Sequence, residues 1–291
     1  MTRRRDLEGH LHSLAEIREI MNSMKTLAYM ETRKLERFLH AQQAVVDNIE
    51  EAAADFLGFY PQSLPDSAGA TPVYVVIGSE RGFCGDFVNP LRRQLEQALQ
   101  RHPGQRVIVI TVGRKLHALL DKDERVQARL DGAGVVEDIP LLLDRILDLL
   151  LQLQQELGVL SLHCIYHSSD DEVTTDTLLP PFAELLSGKP RFAHPPLLNR
   201  EPDAFMIELA DQYLFAALHA ILYASLMAEN HRRVVHLEGA VRHLDDESAE
   251  LERRSNILRQ EEITEEIEVL LLSAATLDGE PGAQREKPDS V

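Results

Sequence analysis

The chain has 291 residues, a formal net charge of −18 and a hydrophobic fraction of 44%, which gives room for one large domain or two modest ones with a packed core. So acidic a chain is repelled by nucleic-acid phosphates, so no nucleic acid is expected as a partner, and the short Arg3-Arg4-Arg5 run reads as a solvated terminus. Aromatics amount to 5% and Trp is absent; with abundant Leu, Ala and Glu, this suits long helices better than an all-β core.

Cys84 and Cys164 are the only 2 cysteines and lack CxxC spacing, so neither a disulfide framework nor a zinc site is expected, and a reducing, cytoplasmic compartment is favoured. No apolar run is read as approaching the ~18–20 residues that cross a bilayer. Charges and histidines interrupt any signal-peptide core. Any membrane connection is therefore expected to pass through another protein, with no direct transmembrane span.

From His10 to Leu57 there is neither Gly nor Pro, and apolar residues recur at three- and four-residue steps through Leu11, Leu14, Ile17, Met21, Met24, Ala28 and Leu35. That is a stripe along one face of a helix, which Gly58 and Pro61 stop. Roughly 48 residues at 1.5 Å each predict a rod of about 70 Å.

The middle of the chain changes character. Val73–Ile77, Val107–Thr111 and Leu160–Tyr166 are short β-branched runs, separated by amphipathic segments near Leu91–Leu99 and Leu141–Leu157. Strand, helix, strand, helix, strand predicts a small, open, parallel α/β sheet of the Rossmann-like kind with right-handed crossovers. Pro61–Pro72 and Pro190–Pro202 are its junctions.

After Pro202 no proline occurs until Pro281, and Gly239 is the one interior glycine. A helix of the order of 70 residues, about 100 Å, is predicted there, a length that implies a coiled coil. The organisation expected is a long helix over 1–60, an α/β lobe over 71–195, a second long helix over 203–277 and a flexible tail over 278–291. The fold class is thus α/β, with the two long helices wound antiparallel. Because the second helix is longer, part of it must project, and a projecting apolar helix calls for a binding partner.

Gly78-Ser79-Glu80-Arg81-Gly82-Phe83-Cys84-Gly85 follows the first strand, where dinucleotides bind in other α/β folds. The spacing is neither GxGxxG nor a Walker loop, so Gly82 and Gly85 are read as permitting tight turns. His163 and His167 share a face of one strand while Cys164 points the other way, too few ligands to close a metal site. Cys84 reads as a small buried residue. No GxSxG, HExxH or kinase signature occurs. No catalytic, cofactor-binding or metal-binding residue is expected.

The loop from Ser79 to Asn89 resembles the Ser-Asp-Arg-Gly-Leu-Cys-Gly-x-Phe-Asn signature of the gamma subunits of F-type rotary ATP synthases. Leu11 to Leu14, Ile20, Ser23-Met24-Lys25, Leu27-Ala28 and Lys34-Leu35 are similar to that family's first helix. Ser225-Leu226 and Glu229 match its Ser-Leu-x-Ser-Glu segment. Asn256, Arg259-Gln260, Ile263-Thr264, Glu266 and Ile267, with Ala274-Ala275, match Asn-x-x-Arg-Gln-x-x-Ile-Thr-x-Glu and its small-residue end. Departures are Met21 for Thr, Phe83 for Leu, the Asp86–Asn89 stretch, and Arg232, His236 and Gly239 where the family carries Ala and Met. They mark a divergent branch.

The resemblance implies a central rotor shaft on the cytoplasmic face of the cell inner membrane. The coiled coil would stand inside a ring of alpha and beta subunits, and the lobe on the c-ring with the epsilon subunit. Ion-driven rotation would be coupled to ATP synthesis or hydrolysis in the beta subunits. It also implies that Arg259 and Gln260 contact a beta-subunit loop and that Met24 and Lys25 lie on the facing first helix. The residues alone leave two rivals: a coiled-coil scaffold or tether with an α/β interaction lobe, and an α/β enzyme with a ligand near Gly78–Gly85.

Overall fold

A computed structural model describes residues 2–64, 69–187 and 192–277. The 278–291 segment, expected as a flexible tail, lies outside the described residues, as do parts of both junctions. The helix expected at the start is α1 (Thr2–Leu57) and the one at the end is α5 (Pro202–Leu277). Between them come β1 (Thr71–Ile77), α2 (Val88–Leu99), β2 (Ile108–Val112), α3 (Arg114–Leu119), β3 (Val126–Leu130), α4 (Ile139–Leu157), β4 (Leu160–His167) and β5 (Val173–Leu179).

The strands form one five-stranded sheet in the order β3-β2-β1-β4-β5. The three expected strands are β1, β2 and β4, with β1 parallel to both neighbours. β3 continues the parallel set, whereas β5 returns antiparallel along β4 as an edge strand. β1 and β2 are Val/Ile-rich because both of their faces are covered. On one face Tyr74, Val76 and Val109 meet Leu91 and Leu95 of α2. On the other, Val73, Val75, Ile108 and Ile110 meet Ile139, Leu143 and Ile146 of α4 and Leu218, Ile221 and Leu222 of α5.

By compactness the chain divides into two units: Met24–Glu238, and the residues up to Ser23 with those from Gly239 onward. In the larger unit α1 and α5 run antiparallel: Phe38 stacks on Tyr223 at 5.8 Å, Gln42 donates to the Ala216 carbonyl at 3.1 Å, and Phe56 meets Phe205 at 5.0 Å. In the smaller unit they are again antiparallel. Arg18 pairs with Asp245, and Arg4 lies 3.3 Å from Glu262. α5 continues from Glu262 to Leu277, about four turns past that last cross-pair.

One expectation needs correcting. α5 does contain an 18-residue stretch apolar enough to cross a membrane. That stretch is 39% buried, so part of its apolar surface serves the core, and length with composition alone gives no span.

Candidate functional site

The carboxyl ends of β1 and β4 mark the point where strand order reverses, the crevice in which open α/β sheets bind ligands. Here that crevice is filled by the chain itself. The loop Gly78–Phe87 leaves β1 and directs two of its backbone N–H groups at Glu229 of α5. Its carboxylate oxygens accept from the N–H of Glu80 and of Arg81, each at 3.2 Å. Arg233, one turn on, pairs with the same carboxylate. The Arg233 guanidinium also donates to the Gly82 carbonyl at 3.1 Å and to the Asn230 side chain at 2.6 Å.

Glu229 and Arg233 are 3% and 4% exposed, so neither charge is tolerable without the other. Burial pushes the Glu229 carboxyl upward, against the downward pull of Arg233 and the two backbone donors. The Glu80 and Arg81 amides are spent on holding the lobe to the long helix.

Glu80 performs the matching task across the sheet. One of its oxygens accepts from the N–H of Arg114 at 3.2 Å and of Gly132 at 2.8 Å, and the other pairs with the Arg114 guanidinium. It thereby joins the carboxyl ends of β1, β2 and β3. Gly113 makes the close approach possible: its φ is +97°, and an added Cβ would lie 2.8 Å from the carbonyl oxygens of Gly78 and Ser79. Gly85, at φ +62°, turns the loop as read from its sequence. Gly82 is not at positive φ; the non-glycine Phe83 is, at 63°.

A second clamp lies beside the first. Arg232, one of the departures from the family pattern, donates to Asp171 at 2.7 Å and to the Asp86 carbonyl at 2.9 Å. Its guanidinium rests 5.6 Å from the Phe87 ring centre. Phe87 packs at 4.1 Å on His167, whose Nε2 lies 2.8 Å from the Phe87 carbonyl. Arg232 thus ties the Asp86 backbone and the Phe87 ring to Asp171 on the β4–β5 turn.

His163 and His167 do share a strand face, as read, but each is engaged elsewhere. His163 stacks on Tyr74 at 4.9 Å and bonds Ser161 and Thr177. Among the described residues no group of three or more His, Cys, Asp or Glu is arranged to hold a metal. Cys84 is buried, and burial pushes its thiol up, away from reactivity.

The positions expected to contact a partner lie outside these clamps. Met24 and Lys25 are half-buried on α1 in the larger unit, and Arg259 and Gln260 are exposed neighbours on α5 in the smaller one. Sequence reasoning quoted Glu229 only as part of a motif and gave it no role. The available signal was its spacing from Arg233, an i, i+4 acid–base pair inside an otherwise apolar helical stretch.

The sequence profile of the ATP synthase family matches residues 3–277. The chain is 24% identical over 283 residues to the ATP synthase gamma chain of Clostridium beijerinckii, covering 93% of this chain and 96% of that one. It is 22% identical over 280 residues to the mitochondrial ATP synthase subunit gamma of Yarrowia lipolytica, covering 94% and 92%. The fold is similar to a chain in the OSCP/F1/c-ring structure of Euglena gracilis mitochondrial ATP synthase, with a TM-score of 0.59, 15% identity, and coverage of 98% of this chain and 99% of that one. With the profile spanning almost the entire sequence, the chain belongs to the ATP synthase family, among its gamma chains.

Proposed function

We propose that this chain is the central rotor shaft of an F-type ATPase, working at the cytoplasmic face of the cell inner membrane. The lobe sits on the c-ring with an epsilon subunit, and the two long helices stand within a ring of alpha and beta subunits. Rotation presents different sides of the shaft to chemically identical beta subunits, and the difference in contact free energy shifts each between its open and closed states. Ion flow drives that rotation, and ATP chemistry belongs to the beta subunits. Arg259 and Gln260, with Met24 and Lys25, are the coupling contacts in this reading.

The observation that carries the proposal is the build of α5. It is one unbroken helix of 76 residues, clamped to the lobe through Glu229, Arg232 and Arg233. Its last turns carry Ile263, Ile267 and Val269–Leu272, each about half exposed or more. A shaft needs both features: a grip that resists slipping and a surface reserved for other subunits.

Co-expression with the alpha and beta subunits of the same organism tests this. The expected result is a co-purifying complex whose ATPase turnover requires this chain. Arg259→Ala/Gln260→Ala should leave assembly intact and lower the turnover. A chain that elutes as a homodimer and ignores both subunits overturns the proposal in favour of a scaffold or tether.

A further inference from the structure

His167 ends β4 and is 0% exposed. Its ring packs on Phe87, and both of its nitrogens face oxygen. Nε2 lies 2.8 Å from the Phe87 carbonyl. Nδ1 lies 3.4 Å from the Asp171 carbonyl and 3.5 Å from an Asp171 carboxylate oxygen. A neutral imidazole has one N–H to give. The short contact assigns it to Nε2, because a carbonyl oxygen needs a donor there. Nδ1 is then a lone pair turned toward two acceptors, and a place for a second proton is built into the turn.

The surroundings hold that proton off. Burial is the largest influence and disfavours the charged ring; the Arg232 guanidinium adds repulsion, while the Phe87 and Asp171 acceptors pull the other way. The net effect keeps the imidazole below its usual range. Among the described residues, the charged groups that act on the ring are Arg232 from α5 and Asp171 from the β4–β5 turn. The loop presents only the Phe87 carbonyl and ring, since the Asp86 carboxylate is engaged by the Asn89 side chain at 2.6 Å.

Asp171 is therefore contested. Its carboxylate accepts from Arg232, which also holds the Asp86 carbonyl. An imidazolium would compete for the same carboxylate. His167 cannot leave without unpacking Phe87, whereas the Arg232 side chain is 24% exposed and can reach water. We propose that Arg232, Asp171 and His167 form a proton-operated latch: when His167 gains its second proton, the Asp171 carboxylate turns from Arg232 to the imidazolium, and Arg232 lets go of the Asp86 carbonyl. The loop before α2 is then held to α5 by the Glu229–Arg233 junction without its second clamp. The sign follows from linkage. The closed latch lowers the basicity of His167 and the release of Arg232 restores it, so acidification below about pH 6.5 favours the released form. This inference does not depend on the rotor reading.

The test is amide hydrogen exchange of the full-length chain, read as protection factors that are corrected for the intrinsic effect of pH. From pH 7.5 to pH 5.0 the amides of residues 83–89 should lose protection about tenfold, as expected for one charge-assisted hydrogen bond. The β1 amides of residues 73–77 should keep theirs. His167→Gln retains a donor for the Phe87 carbonyl but takes up no proton, so its loop should show the same protection at both pH values. A second measurement uses the unaltered chain and stands even if the variant folds poorly. In nuclear magnetic resonance spectra, the Arg232 Nε–H signal and the His167 ring signals should shift with one shared midpoint. Unchanged protection in the loop, an equal loss in β1, the same loss in His167→Gln, or an Arg232 signal that ignores the His167 titration overturns the proposal.

Discussion

Arg233 pairs with Glu229 one turn earlier on α5, with 5% and 4% of their side chains exposed, and the same carboxylate holds the Glu80 and Arg81 amides of the loop after β1. A three-way junction of helix, ion pair and loop is thereby made inside a low-dielectric core. Its members are worth much more together than apart.

Glu229→Gln strands the Arg233 charge in that core, and a loss of about 3–5 kcal/mol of stability is expected, as for other broken buried pairs. Arg233→Met should cost a similar amount by stranding Glu229. The double variant should cost clearly less than the sum, because no unpaired charge remains. Urea denaturation of the four proteins measures the coupling, and additive losses would show that the pair is not a unit.

Two glycines should respond to alanine with opposite signs. Gly113→Ala forces a side chain into left-handed backbone at φ +97°, with carbonyl oxygens 2.8 Å away, and should destabilise by about 1–3 kcal/mol or more. Gly239 lies inside α5 with nothing within 4 Å of an added Cβ. Gly239→Ala should therefore stabilise by about 0.5–1 kcal/mol. Thermal melts of the two variants decide it, and a stable Gly113→Ala would mean that the two loops can move apart freely.

The features legible in the sequence were those written in periodicity. The 3.6-residue stripe of α1 and the β-branched runs of β1, β2 and β4 declare themselves within a short window. β3 was missed because Val126–Leu130 alternates Gln and Arg with its apolar residues, as a half-covered edge strand does. β5 was missed because its Thr-rich Val173–Leu179 is mostly half-buried at the opposite edge. At the site, the glycines of the loop were visible, but the partner of its amides lies 149 residues away at Glu229. Arg232, a departure from the family pattern, finds its partners in Asp171 and the Asp86 carbonyl, 61 and 146 residues away. Long-range matches of this kind leave no local pattern.

Stability should fall as the medium is acidified past the ordinary histidine range. Burial lowers the basicity of His163, His167 and His219 below the usual 6.5, desolvation being the largest cause at each. A histidine lowered in the folded state binds protons more readily when unfolded. Stability is then complete above about pH 6.5 and is lost as pH drops from there toward the depressed folded values. Urea midpoints at pH 7.5, 6.5 and 5.5 should decline in that order, and His163→Gln should flatten part of the decline. A flat profile over that span would mean that the three imidazoles protonate as easily folded as unfolded.

The end of α5 should behave as a surface kept for something other than folding. Leu270 and Leu271 are 67% and 66% exposed, whereas Leu218 in the same helix is fully buried at 0%. Truncating Leu218 to Ala removes core contacts and should cost about 2–5 kcal/mol. Leu270→Ser/Leu271→Ser removes almost nothing the folded chain uses, and the stability of the isolated protein should change by less than about 0.5 kcal/mol per site. Apolar side chains that are idle in the isolated chain become useful only where a partner covers them. The same double variant should therefore reduce co-purification with the alpha and beta subunits while its melting curve stays put. If the melt moves and the assembly does not, those leucines serve the helix itself and the shaft's contact surface lies elsewhere.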